Sequence, residues 1–356
     1  MQQKSAFRLY WIQALALRTR VFLVEELGFA DGHCISAFLR TGDDTSLAQA
    51  AIFGGTAHRR EDRDDGLRGV LQDAEQNYPH AQMLNEHRKF YTALRRLPGL
   101  CGFQGIDLDP PGCGYRWIPA HLQRSSSPGN SRITHGLKPV PGESRVQETR
   151  RLQTLLSKLD PQDGTLADIR ADLQAMIDSL QYRSLIGEAI DYPALRPAMR
   201  MREEIMKHRI DGILERLSPG TTLVIMGHAF HLAKRDSHIE SQGVGPGGDE
   251  TPSLGHYLVQ ERGIDARSVW MIYGSGEDAQ PLRDLPRKAD FPRETINRQL
   301  LDCTGEAVCL PVREAREWLP GAVRFGHLYN NVVNVDLAEE ADVVTFFPRV
   351  TPLSLD

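Results

Sequence analysis

A chain of 356 residues is long enough for one large domain or two modest ones. Hydrophobic residues make up 40%, charged residues 25%, and the net charge is -5, with Lys and Arg interspersed among acids. That balance excludes a dedicated nucleic-acid or anionic-membrane binder. Five scattered cysteines (Cys34, Cys101, Cys113, Cys303 and Cys309) form no framework. Reduced thiols and a cytoplasmic setting are expected.

The first apolar stretch, Leu9 to Leu17, is too short to span a bilayer and predicts a helix buried on several sides. Val21 to Val24 then reads as a buried strand ending in Glu25 and Glu26. Residues 34–42 predict a helix stopped by Gly42, with helix resuming over 43–52 and a loop at AIFGGTAH. Helical periodicity runs through 66–97 until Pro98 and Gly99. Leu100 to Ile106 is a second strand, ending in Asp107. Residues 122–145 read as a polar loop, followed by helices near 146–159, 163–181 and 196–217.

TTLVIM is a strand leading into GHAFHLAK, and SQGVGPGGDETP is a polar glycine loop. SLGHYLVQERG is expected as a helix, SVWMIYG as a strand, and DVVTFFP as the one further core strand of the tail. This alternation predicts the α/β class: a mostly parallel sheet with flanking helices in a single domain spanning 1–356. Residues 118–200 are expected as a loop and helical insertion, a cap covering the C-terminal strand ends.

No G-x-G-x-x-G follows the first strand, and there is no Walker A lysine motif and no G-x-S-x-G elbow. No nicotinamide, flavin or nucleotide cofactor is therefore expected. Three ionisable residues stand at strand ends: Glu26, Asp107 and, after one glycine, His228. Ligands of open parallel sheets bind beyond such ends. His231 lies three residues past His228, and imidazole carries protons near neutral pH. His-x-x-His with Glu26 and Asp107 also offers metal ligands, though the spacing is not H-E-x-x-H. Metal-independent chemistry is the expectation. Arg202, on an amphipathic helix, can supply a fixed positive charge for a carboxylate or an oxyanion.

Several segments in order resemble the erythromycin esterase family. REEIMKH (202–208) resembles its R-D-x-x-M-x-x-N, and VIMGHAFHLAK its strand followed by H-N-x-H. SLGHYLVQERG resembles M-G-x-x-L-x-x-x-x-G, and VFLVEELGF a strand ending in Glu-x-Gly-Phe, which selects Glu26 over Glu25. GFQGIDLD resembles F-x-G-x-D, and DVVTFFPRVTP the family's last strand. The resemblance implies a metal-independent hydrolase that opens macrolactone esters, an activity of natural-product and antibiotic-resistance chemistry. It places Glu26, Arg202, His228 and His231 at functional positions, with Asp107 and His256 as substrate-binding residues.

The chain departs from the family at Ala229, where asparagine follows the first histidine, and at His208, read as the asparagine of the arginine motif. The family's G-E-x-x-H-G segment is not in this sequence, which leaves His33, His58 or His256 to stand in for its histidine. The expected partner is a small apolar or polyketide-like molecule. The expected reaction is hydrolysis of an ester or lactone. The alternatives are a lyase, cyclase or isomerase acting on a natural product, and a ligand-binding protein without catalysis.

Overall fold

The computed structural model describes residues 2–43, 80–109, 118, 122, 130–138, 140–189, 192–235, 239–241, 252–278, 287–315, 323–326 and 332–350. Two compact units emerge: one of Leu15–Met226, the other of Met1–Ala14 with Gly227–Asp356. The expectations for 43–58 and for 66–79 fall almost wholly outside the described residues.

The first helix, α1 (Gln2–Ala16), straddles the division. Ile12 and Ala16 are buried, but Tyr10 and Leu17 are 66% and 79% exposed. Only one face is covered, so the expected burial on several sides does not hold.

In the Leu15–Met226 unit, β1 (Arg20–Gly28) leads into α2 (Phe29–Thr41), which ends at Gly42 with a left-handed φ of 75°. Next come α3 (His80–Arg95) and β2 (Leu100–Asp107). Four helices follow: α4 (Asn130–Gly136), α5 (Arg145–Ser157), α6 (Ala167–Glu188) and α7 (Tyr192–Leu214). The unit closes with β3 (Thr221–Met226). Helix α4 lies inside the stretch expected as loop: Ile133 and Leu137 are buried, an i, i+4 pair that the polar composition hides. Ser144 begins α5 with a capping box closed by Gln147.

The sheet of this unit has order β2-β1-β3, and every pairing is parallel. Val21, Leu23 and Val24 of the central strand are almost fully buried, as expected for a strand covered on both faces. Helix α2 packs on β2 where two glycines meet: a Cβ at Gly32 would stand 2.0 Å from the Gly105 amide nitrogen.

The other unit contains β4 (Ile239–Ser241), α8 (Leu254–His256), β5 (Val269–Asp278), β6 (Arg287–Asp290) and α9 (Ile296–Cys303). Then follow β7 (Val308–Pro311), α10 (Val312–Ala315), β8 (Val323–Gly326), β9 (Val332–Val335), α11 (Leu337–Glu340) and β10 (Val343–Val350). Its four-stranded sheet, β6-β5-β10-β7, is mixed: only β5 and β10 run parallel. A small sheet, β4-β9-β8, is antiparallel. The architecture is thus α/β with mixed sheets, not a mostly parallel one. The added strands β6 to β9 are each four residues long, too short for a period-two pattern to show. The segment read as helix SLGHYLVQERG is a single helical turn followed by a π-turn, in which the Arg262 N–H donates to the Tyr257 carbonyl (2.9 Å).

Candidate active site

Glu26 and Asp107 sit at the C-terminal ends of neighbouring parallel strands. Register advances from Glu25 opposite Gly105 to Gly28 opposite Asp107, so β1 carries one extra residue there. Such a bulge re-aims side chains. Glu25 accepts a hydrogen bond from the buried Tyr91 hydroxyl of α3 (3.0 Å), whereas Glu26 meets α7.

Arg202 of α7 joins the two strand ends. Its Nε donates to Asp107 Oδ1 (2.7 Å) and its Nη2 to Asp107 Oδ2 (2.5 Å), a two-pronged grip on one carboxylate. Nη2 also donates to Glu26 Oε1 (2.8 Å). The three side chains are 14–20% exposed, so the cluster is largely desolvated but reaches solvent. Burial opposes the guanidinium charge; the charge and hydrogen bonds of Asp107, then the charge of Glu26, outweigh it, and the pKa of Arg202 is raised.

Two carboxylates face one guanidinium, so the ionised trio carries a net charge of about -1 by simple counting. A cation already matched by two anions is a poor oxyanion clamp and a good holder of carboxylates. Arg202 stands here as a fixed positive charge on two carboxylates of the chain itself, in line with the first of the two roles read in the sequence.

Behind the trio lies a deeper polar layer. Arg209 donates from Nη1 to the carbonyl of Asp107 and to that of Ile106 (3.2 Å), and its guanidinium lies 4.8 Å above the Phe29 ring. Arg202, Met206, Arg209 and Ile213 recur at i, i+4, i+7 and i+11, so both arginines share the stripe that packs toward β2. Counted from Arg202, the asparagine of R-D-x-x-M-x-x-N falls on this buried Arg209 and not on the exposed His208.

Asp109, just past β2, accepts the Ala30 N–H (2.7 Å) and thereby caps α2 from another part of the chain; the helix has no side-chain cap of its own. Its own N–H donates to Ser179 Oγ (3.0 Å). Burial, with the charges of Asp31 and Asp172, pushes the Asp109 carboxyl up to about 7 against the pull of Arg209 and the Ala30 N–H. His33, in α2, meets Asp172 of α6 through Nδ1 at 2.9 Å. Burial lowers the His33 pKa, but the close contact and charge of Asp172 and the charges of Asp168 and Asp109 overcome it, leaving the pKa raised.

The remaining candidates belong to the other unit. His228 begins a tight turn after Gly227: its carbonyl accepts the N–H groups of His231 (3.1 Å) and Leu232 (3.2 Å). Its Nδ1 accepts the Phe230 N–H (3.3 Å), so a neutral ring carries its proton on Nε2. The rings of His228 and His231 are 6.1 Å apart. The His231 carbonyl accepts the Gly255 N–H (2.8 Å), and a Cβ at Gly255 would stand 2.4 Å from the Leu232 carbonyl. His256 enters the same turn through its N–H to Ser253 Oγ (3.2 Å), whose hydroxyl donates to the Ala233 carbonyl (2.9 Å).

Glu26, Asp107 and Arg202 thus come together within the Leu15–Met226 unit, and His228, His231 and His256 within the other unit. Sequence reading missed Asp109, Arg209, Asp31 and Asp172. The available signal was an acid or base on an apolar helical stripe, as with Asp172 among Ile169, Leu173 and Met176. Among the described residues no group of three His, Cys, Asp or Glu side chains is arranged to hold a metal ion, and no helix is long and apolar enough to cross a membrane.

No family model matches the chain, and no curated protein matches it. Its fold is similar to that of solved structures. A succinoglycan biosynthesis protein matches with a TM-score of 0.66 at 10% identity, over 99% of this chain and 86% of that one. A protein from Bacillus cereus matches at 0.58 and 13% identity, over 95% and 82%. A mutant of the erythromycin esterase EreC in its open conformation matches at 0.55 and 16% identity, over 97% and 87%. At such identities the likeness is one of fold: the chain shares its architecture with an esterase and with a biosynthesis protein.

Proposed function

We propose that this chain hydrolyses an ester or lactone of a neutral natural product by histidine and glutamate acid–base catalysis, with Arg202 holding Glu26 and Asp107 in place. The carrying observation is the grip of Arg202 on two strand-end carboxylates. A largely desolvated carboxylate held at hydrogen-bond distance is a positioned proton carrier. The trio's net negative charge disfavours an anionic ligand and suits a neutral ester. The fold shared with an esterase supports the same reading. Residues 118–200 are proposed to act as a cap within the Leu15–Met226 unit, and His231 and His256 as substrate-binding residues of the other unit.

A second reading rests on the succinoglycan biosynthesis protein of the same fold: a biosynthetic enzyme using the carboxylates without water as a reactant. Metabolite profiling of a deletion strain separates the two. Hydrolysis predicts accumulation of an intact ester that the purified chain opens. The biosynthetic reading predicts loss of a product and no such ester.

A further inference from the structure

Asp172 is the most informative group outside the trio. It is an acid on the apolar stripe of α6, its side chain 1% exposed, and one of its oxygens lies 2.9 Å from His33 Nδ1, an ion-pair contact without the alignment of a hydrogen bond. A buried carboxylate against Nδ1 does two things to an imidazole. It holds the ring in one orientation, and in the neutral ring it keeps the proton on Nδ1, so that Nε2 becomes the basic position. The Phe29 ring, 4.5 Å from the His33 ring, fixes the other side.

The placement is what turns this dyad toward function. His33 stands in α2, five residues past Gly28 at the end of β1, on the helix whose N-terminus Asp109 caps from the end of β2. Phe29 is covered by Arg209, which holds the carbonyl of Asp107, whose carboxylate Arg202 grips. The dyad and the trio are thus linked through one set of contacts at the C-terminal ends of β1 and β2.

We propose, building on the hydrolytic reading above, that His33 is an acid–base residue of this site, oriented by Asp172 and exchanging a proton with the reactants through Nε2. In the forward step Nε2 takes a proton from water as the water oxygen bonds to the ester carbonyl carbon. As the carbon–oxygen bond to the leaving group breaks, the same proton passes from Nε2 to the departing alkoxide oxygen. Asp172 stays ionised throughout, and the products are a carboxylic acid and an alcohol.

The charged groups facing the ring are Asp172 and Asp168 from α6 and Asp109 from the end of β2, with Asp31 beside Asp109 and Arg209 across Phe29. The acids hold the imidazolium form to higher pH than usual. Activity should therefore rise along a limb above pH 6.5, and Asp172→Asn should move that limb to lower pH.

The test uses the full chain with p-nitrophenyl butyrate as probe, pH profiles of kcat/KM, and histidine carbon–proton NMR titrations of the same proteins. The proposal expects the wild-type limb to coincide with the His33 titration. It expects His33→Gln to lose about 10²-fold in kcat, with KM little changed. It expects Asp172→Asn to lower both the His33 titration point and the limb together. Wild-type turnover with an unaltered limb and rate in His33→Gln overturns the dyad and leaves the hydrolytic reading standing. A wild type inert toward this probe and toward a macrocyclic lactone overturns that reading, and the dyad's role with it. Should His33→Gln lose its fold, Asp172→Asn carries the decision: an unmoved limb, with a shifted His33 titration, overturns the proposal.

Discussion

Arg202 holds Asp107 by both carboxylate oxygens, at 2.7 and 2.5 Å, and still has an Nη2 hydrogen bond for Glu26 at 2.8 Å. One cation on α7 therefore keeps two like charges together at the ends of adjacent strands.

Removing that cation leaves two largely buried carboxylates in repulsion. Arg202→Met should destabilise the full chain by about 3 kcal/mol, the scale for breaking a buried ion pair. Adding Glu26→Gln and Asp107→Asn to Arg202→Met should recover most of the loss, because neutral amides need no counter-charge. Urea unfolding of the single and triple variants measures both. Equal destabilisation in the two would show that Arg202 matters through packing rather than charge.

Glu26 and its neighbour Glu25 are predicted to separate activity from stability. Glu26→Gln should lower ester turnover by about 10²-fold and leave the melting temperature nearly unchanged. Glu25→Gln keeps an acceptor for the Tyr91 hydroxyl, so it should retain turnover and lose no more than about 1 kcal/mol of stability. A turnover loss confined to Glu25→Gln would reassign the functional glutamate.

The three strands of the first unit and the C-terminal boundary of α2 were legible because each announces itself locally: apolar runs at 21–24, 100–106 and 221–226, and Gly42 in a left-handed turn. Asp107 was legible for the same reason, as the first acid after such a run, whereas Glu26 is the second acid after its run and was picked over Glu25 by the family resemblance. Arg209 and Asp172 were not, since what makes them special is a partner far away in sequence, Asp107 for the one and His33 for the other. Asp109 stands before two prolines in the sequence and proves to be the cap of a helix 79 residues earlier. Short strands such as β8 and β9 owe their existence to each other and carry no pattern of their own.

Stability should respond to pH through Asp109. In the folded chain it keeps its proton up to about 7, while its unfolded value is near 3.8. The folded state then binds more protons in that window, so this contribution is full below pH 3.8 and is lost as pH rises through 7. His33 has the same sign, its share being lost as pH rises above 6.5 through its raised folded value. Asp109→Asn mimics the protonated form. Its melting temperature relative to wild type should climb steadily from acid to neutral pH. A constant difference would mean that Asp109 is already ionised throughout.

His228 offers a test in the second unit. His228→Gln should keep the fold, since glutamine can still accept the Phe230 N–H, yet lose about 10²-fold in turnover. His231→Gln should cost less if it only orients substrate. His135→Gln, on the exposed surface of α4, should change nothing. Full activity in His228→Gln with an unchanged melting curve would remove His228 from the chemistry.

The most direct measurement is the fate of solvent oxygen. The full chain is incubated with p-nitrophenyl butyrate and with a macrocyclic lactone in water enriched in oxygen-18, and the products are weighed by mass spectrometry. The hydrolytic account predicts one heavy oxygen in each carboxylic acid formed, none in the alcohol, and about 10²-fold less product from Glu26→Gln under the same conditions. Product formed without solvent oxygen, or equal labelling and rate in wild type and Glu26→Gln, would contradict it.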